Sequence, residues 1–394
     1  MSISEKVRLG MQNGSLIRKM FEEGIALKKL HGPDKVFDLT IGNPMLEPPE
    51  AFSRELKKLV ENPRPGMHRY MENAGYTDTR EAIAAKLTSE TGIKFSHSGI
   101  VMTCGAAGAI NLALKALLNP GEEVISFAPF FFEYEVYVDN HGGMCKILPS
   151  TESFVPDLNA LEAAINPKTK AIIINSPNNP TGIVYSDNIL KQIAEVVNHK
   201  STSLNRTVYV ISDDVYSKLY YDGGKCPRML NYYPHTIVVT SYSKELSLPG
   251  ERIGYAAVHP DCDDRKDVVA AMIYANRILG FVNAPALMQN LVRNLQNASV
   301  SVGEYKRKRD LLYDNLTGMG YSMVKPEGAF YMFPRTPIKD DLTFASELKE
   351  MLVLTVPGSA FKAPGYIRLS YCLDDRTIEG SLPAFRKAIE KYRP

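Results

Sequence analysis

Four short apolar runs, each followed at once by polar or turn-forming residues, constrain the fold of this chain more than any other feature. The runs are 124–127, 171–174, 208–211 and 236–240. Continuous apolar runs of this length are typical of strands buried on both faces, as in a parallel sheet covered by helices. Helical patterns over 106–118 and 187–199 accompany them. The sequence therefore predicts an α/β fold with right-handed crossovers.

The residues that follow the four runs predict where a ligand binds. They are Pro129-Phe-Phe, Asn178-Asn-Pro-Thr-Gly, Asp213-Asp-Val-Tyr and Ser241-Tyr-Ser-Lys. In an open α/β sheet, ligands bind outside the carboxyl ends of the parallel strands. We therefore expect the four clusters to converge on one ligand.

Residues 298–394 show a different pattern. A charged helical stretch over 298–315 precedes strand-like pieces at 329–333 and 366–370 and an amphipathic helix over 378–392. We expect a smaller α+β domain here. The predicted division is an N-terminal segment, 1–45, that joins the small domain, a large ligand-binding domain, 46–290, and the small domain, 291–394.

Charge and cysteine content exclude several classes of function. Lys and Arg number 46 against 44 Asp and Glu, so nothing indicates a broadly basic nucleic-acid surface. No apolar stretch approaches the roughly 18 residues of a membrane span, and the first residues lack the apolar core of a secretory signal. Five dispersed cysteines indicate reduced thiols and a cytoplasmic location. The seven histidines show no metal-ligand spacing, so no metal is predicted.

The segment 241–255 combines residues suited to phosphate binding and to amine chemistry. Ser241 and Ser243 precede Lys244, and Arg252 follows it. Hydroxyls and a guanidinium bind phosphate well, and a lysine close to positive charge gives up its proton and can form a Schiff base. Most loop lysines are simply solvated. The surrounding serines, Pro-Gly and arginine favour the chemical role here.

Gly105, Ala106 and Ala107 open a helix directly after 100–103, and the free amides of a helix N-terminus can bind an anion. This signal is weak by itself. It does not match G-x-G-x-x-G, and no acidic residue follows at the nucleotide spacing, which disfavours a dinucleotide-dependent dehydrogenase.

Three further side chains are candidate ligand contacts. Asp213 ends a buried strand, where a protonated ring nitrogen would suit it, although it could instead cap a helix. Tyr216 could give its hydroxyl to the same ligand. Arg368 could hold a carboxylate with two hydrogen bonds, and a structural ion pair is an equal alternative.

Together these motifs resemble the fold-type I pyridoxal-phosphate enzymes of the class I/II aminotransferase group, the aspartate aminotransferase-like family. The resemblance extends from Leu39-Thr-Ile-Gly-Asn-Pro to Tyr366-Ile-Arg-Leu-Ser, and the S-x-S-K-x-x-x-x-P-G-x-R-x-G-Y and N-N-P-T-G blocks carry it. It implies a large domain with a mostly parallel seven-stranded sheet covered by helices, plus a smaller α+β domain. It also implies transfer of an amino group between an L-amino acid and a 2-oxo acid by a ping-pong mechanism, in amino acid metabolism and biosynthesis.

The resemblance also implies roles for individual residues. Lys244 would hold pyridoxal 5′-phosphate covalently and move the Cα proton, Asp213 would keep the ring nitrogen protonated, and Tyr216 with Asn179 would bind the phenolic oxygen. The phosphate would be bound at the helix start after Gly105 by the amides of Ala106 and Ala107, with Ser241, Ser243 and Arg252. Phe131 would stack on the ring. Arg368, Asn179 and the backbone of Gly42 would bind the substrate carboxylate, and Tyr70 would reach the phosphate of a neighbouring subunit in a homodimer.

The sequence departs from the family pattern in three places. Ala107 stands where many relatives have a hydroxyl residue or lysine, and Phe131 stands where Trp or Tyr is common. Arg277 is offset by one position from the arginine that reads a second carboxylate in one aspartate-specific branch. Aspartate specificity is therefore not predicted.

Other functions use a similar framework. A β-lyase, synthase or decarboxylase with the same cofactor would need the same lysine, aspartate and arginine. A cofactor-binding sensor fused to a DNA-binding module would need a longer N-terminal segment than this chain has. The aminotransferase is the function that the sequence favours.

Overall fold

The apolar runs form strands of a central sheet in the computed structural model, which describes residues 3–12, 16–221 and 223–392. The strands in that part are β1 (Phe37–Asp38), β2 (Ile100–Thr103), β3 (Glu123–Phe127), β4 (Met144–Leu148), β5 (Thr169–Asn175), β6 (Tyr209–Asp213), β7 (Thr236–Ser241), β8 (Gly254–Val258), β9 (Tyr331–Met332), β10 (Val353–Leu354), β11 (Val356–Pro357) and β12 (Ile367–Ser370). The helices are α1 (Glu5–Gln12), α2 (Leu16–His31), α3 (Glu50–Glu61), α4 (Thr77–Thr91), α5 (Gly105–Leu117), α6 (Glu133–Asn140), α7 (Leu158–Ala164), α8 (Asp187–Ser203), α9 (Tyr242–Glu245), α10 (Arg265–Ile278), α11 (Ala286–Val292), α12 (Val302–Gly318), α13 (Asp341–Glu350) and α14 (Asp375–Glu390). None of these helices is long and apolar enough to cross a bilayer.

The central sheet has seven strands in the order β2-β8-β7-β6-β5-β3-β4. Strands β4, β3, β5, β6 and β7 pair in parallel, whereas β8 runs antiparallel to both of its neighbours, β7 and β2. The prediction of a mostly parallel α/β sheet is confirmed. Because β3, β5, β6 and β7 share one direction, their carboxyl ends meet along the same edge of the sheet.

Helices cover both faces of this sheet. Ile173 packs in a buried cluster with residues of α5 and α10, while its neighbours Ile172 and Ile174 pack with residues of α8 on the other face. Successive residues of a strand point to opposite faces, so a strand covered on both sides needs an apolar residue at every position. This double burial is the physical reason for the continuous apolar runs.

Strand β8 packs closely against its neighbours because it begins with a glycine. A Cβ on Gly254 would lie 2.3 Å from the carbonyl oxygen of Thr240 and 3.0 Å from the backbone of Gly105. The start of α5 therefore lies directly against the sheet at this point. The remaining residues of β8, Tyr-Ala-Ala-Val, form no strong apolar run, which is why the sequence pattern did not indicate this strand.

The C-terminal region contains the expected strands and helices. Helix α12 begins at Val302, four residues later than predicted, because the Ser301 hydroxyl accepts a hydrogen bond from the Glu304 amide and caps the helix there. Strands β11, β12 and β9 form an antiparallel sheet in that order. Strand β1, near the N-terminus, pairs in parallel with β10.

Candidate active site

A cavity of about 600 Å³ lies at the carboxyl ends of the parallel strands. Strands β5, β6 and β7 end at Asn175, Asp213 and Ser241, and all three residues line it. The predicted site residues that line the cavity are Gly42, Ala106, Ala107, Phe131, Asn179, Asp213, Tyr216, Ser241, Ser243, Lys244, Arg252 and Arg368. The four clusters of the sequence thus meet at one site.

Lys244 is held at the cavity by the short helix α9, which begins directly after β7. The Ser241 hydroxyl accepts a hydrogen bond from the Ser243 amide at 3.1 Å and caps this helix. The half-buried Lys244 side chain donates from Nζ to the carbonyl oxygen of Gly42 at 2.8 Å. Burial lowers the pKa of Lys244 to about 8, and Arg368 and Arg252 act in the same direction. The neutral, nucleophilic fraction of this amine near neutral pH is therefore much larger than that of an ordinary lysine.

Asp213 has one satisfied and one unsatisfied carboxylate oxygen. Its Oδ2 accepts a hydrogen bond from the Tyr134 hydroxyl at 2.5 Å, whereas Oδ1 is buried with no hydrogen-bond partner among the described residues. Burial raises the pKa of Asp213 to about 7, against the opposing effect of the Tyr134 hydrogen bond. A buried, unpaired carboxylate oxygen at a cavity wall requires a hydrogen-bond donor, and a cationic N–H group fits best.

Polar groups suited to a ligand oxygen lie on the neighbouring wall. The Tyr216 hydroxyl donates to the Tyr331 hydroxyl at 3.3 Å, and burial raises the pKa of Tyr216 well above its ordinary value. Tyr216 therefore stays protonated, and the O–H that it donates to Tyr331 is the donor that a ligand oxygen would compete for. Asn179 is fixed by its backbone amide, which donates to Asn175 Oδ1 at 2.7 Å.

The opposite end of the cavity has the composition of an anion site. The Ser241 and Ser243 hydroxyls lie 2.6 Å apart, and Arg252 adopts a left-handed backbone with φ +49° next to them. Ala106 and Ala107 lie in the first turn of α5, where backbone amides have no intrahelical partner. Gly105 does not line the cavity itself. It begins α5 with a left-handed φ of +75°, and a Cβ there would lie 2.7 Å from Arg252 Nη2.

Arg368 is buried and oriented without an acidic partner. Its Nη1 donates to Asn179 Oδ1 at 3.0 Å and its Nη2 to the carbonyl oxygen of Thr40 at 2.7 Å. The guanidinium lies between the rings of Tyr331 and Phe361, at 4.6 and 4.9 Å. Within the described ranges no carboxylate lies within ion-pair distance, and Nε is buried without a partner. This arrangement favours the ligand role over a structural ion pair, because a buried cation otherwise stays uncompensated.

Two residues considered from the sequence lie away from the cavity. Tyr70 is 90% exposed and contributes to a separate surface depression with His68 and Asn283. Arg277 is exposed near the end of α10 and does not line the cavity either.

Several cavity residues were not identified from the sequence. Tyr134 supports Asp213, Tyr331 contacts Arg368, and Glu133 and Tyr137 lie on the wall formed by α6. The Pro129-Phe-Phe cluster did indicate this part of the chain. It did not indicate which residues of the following helix face inward, because that depends on how α6 packs.

Comparison with known proteins assigns the chain to a family. A family model described as aminotransferase class I and II matches residues 34–384. The aspartate/prephenate aminotransferase of Thermus thermophilus is 32% identical over 366 residues, which cover 89% of this chain and 90% of the relative. The aromatic-amino-acid aminotransferase 2 of Thermococcus litoralis is 32% identical over 98% of both chains.

Solved structures show the same similarity. An amino transferase from Eubacterium rectale superposes with a TM-score of 0.96 at 40% identity and covers 100% of both chains. The aspartate aminotransferase of Thermotoga maritima gives a TM-score of 0.87 at 29% identity, over 98% of this chain and 100% of that one.

Proposed function

The chain belongs to the class I and II aminotransferase family and is a pyridoxal-phosphate-dependent aminotransferase, and from this premise we propose how its residues carry out the transfer of the amino group. The observation that carries the proposal is the joint placement of Lys244, Asp213 and Arg368 around one cavity. The relatives compared are aminotransferases, so the β-lyase alternative is not favoured.

The residues of the cavity fit the cofactor. The unsatisfied Oδ1 of Asp213 suits a protonated ring nitrogen, and the Ser241–Ser243–Arg252 group with the amides of α5 suits a phosphate. Phe131 lines the same cavity, and an aromatic side chain there suits stacking on the ring. Tyr216 and Asn179 also line the cavity, and we assign them to the phenolic oxygen.

When bound, pyridoxal phosphate supplies an aldehyde that joins amines covalently and a ring that withdraws electrons from the substrate Cα. Lys244 Nζ would hold the aldehyde, and the same amine would serve as the base that moves the proton of the substrate Cα. Its lowered pKa suits this work, because a base operates best when its pKa lies near the working pH. Asp213 would bind the ring nitrogen through its unpartnered Oδ1, and as the ionised partner it would keep that nitrogen protonated.

The substrate is oriented through its α-carboxylate. Arg368 offers its guanidinium in a fixed direction, since Asn179 and the Thr40 carbonyl restrain it and two aromatic rings enclose it. Asn179 and the backbone of Gly42 complete this subsite. The cycle runs in two half-reactions, in which an amino acid leaves as a 2-oxo acid and a second oxo acid then takes the amino group.

The larger organisation belongs to the same proposal. The enzyme acts as a homodimer in which Tyr70 binds the phosphate across the interface, which explains a tyrosine that is 90% exposed in the single chain. The division into 1–45, 46–290 and 291–394 is part of the proposal, with the pairing of β1 and β10 in support. A cytoplasmic role in amino acid biosynthesis agrees with five free cysteines.

The test is Lys244→Ala, with the exposed Lys266→Ala as the matched control. We expect the Lys244 variant to fold and to bind cofactor without the covalent bond, and to lose at least ~10²-fold in turnover, the lower range for a placed acid–base group. Borohydride reduction followed by peptide mapping should label residue 244 in the wild type and in Lys266→Ala. It should give no label at this position in Lys244→Ala. Full transaminase activity in Lys244→Ala would refute the assignment.

A further inference from the structure

One acidic side chain in the cavity has no part in the mechanism above. Glu133 is the first residue of α6 and lies on the cavity wall between Phe132 and Tyr134. Its Oε2 is closed off from solvent and has no hydrogen-bond partner among the described residues. A buried carboxylate oxygen without a partner is costly, so its presence beside a substrate pocket calls for a donor supplied by a ligand.

The surroundings of Glu133 leave its charge only partly compensated. Arg368 acts on it electrostatically, together with its own backbone amide, but no basic group of the described chain forms an ion pair with it. Tyr137 and Tyr331 are the titratable groups that face it from α6 and β9. Burial accordingly raises the pKa of Glu133 to about 7, with Arg368 opposing.

The cations of the cavity are already assigned. In the described ranges the basic residues that line it are Lys244, Arg252 and Arg368. They serve the covalent bond, the phosphate and the substrate α-carboxylate. A donor with a second carboxylate would therefore find no free cation in this chain's cavity, and above the pKa of Glu133 the two carboxylates would repel each other.

Ala107 supports the same conclusion. It lines the cavity with a methyl group and offers no hydrogen-bonding or charged side chain to a second carboxylate. Ile110, Phe131 and Phe132 are further apolar lining residues. Glu133 is thus the charged group of this wall that is left for the substrate side chain.

Resting on the proposed function, we infer that Glu133 is a specificity-determining residue that accepts a hydrogen bond from a nitrogen-bearing substrate side chain, an amide or an ammonium, and rejects a side-chain carboxylate. Glutamine and glutamate are nearly isosteric, so their comparison isolates this contact from size. The inference separates this chain from relatives that are named aspartate aminotransferases.

The experiment measures single-turnover conversion of the holoenzyme with glutamine, glutamate, asparagine, aspartate and alanine. Wild type should convert each amide at least ~10-fold more efficiently than its acid, as expected for one hydrogen bond to a charged group. In Glu133→Gln the amide-to-acid ratio should fall by at least ~10-fold. Glu135→Gln is the matched control, because Glu135 lies on the same helix, pairs with Lys362 at 3.6 Å and does not line the cavity.

The pH dependence gives a second measurement. The wild-type ratio of glutamine to glutamate should fall as the pH drops through about 7, since protonation of Glu133 removes the repulsion, and it should stay flat in Glu133→Gln. The titration of Lys244 changes the conversion of glutamine and of glutamate by the same factor, so it cancels in their ratio.

The inference is overturned by faster conversion of glutamate or aspartate in wild type, or by an unchanged ratio in Glu133→Gln. An equal loss with all donors, alanine included, would make Glu133 structural and would also overturn it. Failure of the proposed function looks different, because then no donor converts in wild type or Lys244→Ala remains active.

Discussion

At the scale of single residues, burial shifts the pKa values of the two central groups, Asp213 and Lys244, in opposite directions. Without cofactor, the pKa of Asp213 is raised to about 7 and that of Lys244 is lowered to about 8, in both cases chiefly by desolvation. Burial therefore shifts each group toward its neutral form when the site contains no ligand. A bound ring cation would restore the charge on Asp213 by giving its Oδ1 a partner.

A stability measurement tests the Asp213 shift. Its raised pKa means that the cofactor-free folded state binds a proton more tightly than the unfolded state, so the contribution of Asp213 is fully present below about pH 4 and is lost as the pH rises through about 7. Each pKa unit corresponds to ~1.4 kcal/mol. Thermal unfolding of the apoprotein should thus show Asp213→Asn gaining stability relative to wild type between pH 5 and 8. A constant difference across that range would contradict the shift.

Residues that act through local motifs could be predicted from the sequence, and those that act through packing could not. Lys244, Arg252 and Asp213 stand in or beside recognisable turns at strand ends. Glu133 and Tyr134 lie on α6, and the packing of this helix against the sheet decides which of its residues face the cavity. A single sequence does not show how the helix packs. Arg368 was identified, but its environment of two aromatic rings was not.

At the scale of elements, the strength of the sequence signal follows burial. Strands β5, β6 and β7 are covered on both faces and were predicted nearly to their ends. Strand β4 lies at the edge of the sheet and is only partly buried, so its residues Met-Cys-Lys-Ile-Leu carry no continuous apolar run. Strand β8 depends on small residues for close approach instead of on apolar bulk.

The close packing at β8 gives a prediction for that strand. Gly254→Ala should destabilise the protein by about 1–3 kcal/mol, the usual effect of overpacking, because the new methyl group would meet rigid backbone at Thr240 and Gly105. Urea unfolding of the two proteins measures the difference. Gly318→Ala, at the open end of α12 with nothing within 4 Å, serves as the control and should not destabilise. Equal unfolding midpoints for Gly254→Ala and wild type would show that β8 can move away from Thr240 and Gly105 without loss of stability.

At the scale of the whole molecule, the proposed dimer predicts complementation between two inactive chains. If each site combines Lys244 of one subunit with Tyr70 of the other, a mixed dimer of Lys244→Ala and Tyr70→Ala contains one site with both defects and one intact site. Mixing and refolding the two variants should restore activity toward about a quarter of wild type, since about half of the dimers are mixed and each has one of two sites intact.

The control for that experiment is each variant refolded alone, which should stay at its own low activity. If Tyr70 acts within its own chain, both sites of the mixed dimer stay defective and mixing restores nothing. That result would contradict the shared site while leaving the role of Lys244 unaffected.

The contact between Arg368 and the Thr40 carbonyl has a consequence for how the protein is made. The two partners lie 328 positions apart, so one wall of the pocket is translated first and the other long afterwards. A ribosome-bound nascent chain can build much of the central sheet, but it holds no site for the substrate carboxylate until residue 368 has emerged. Catalytic competence therefore arrives late in synthesis, because a chain that stops before residue 368 lacks the guanidinium proposed to capture the amino acid.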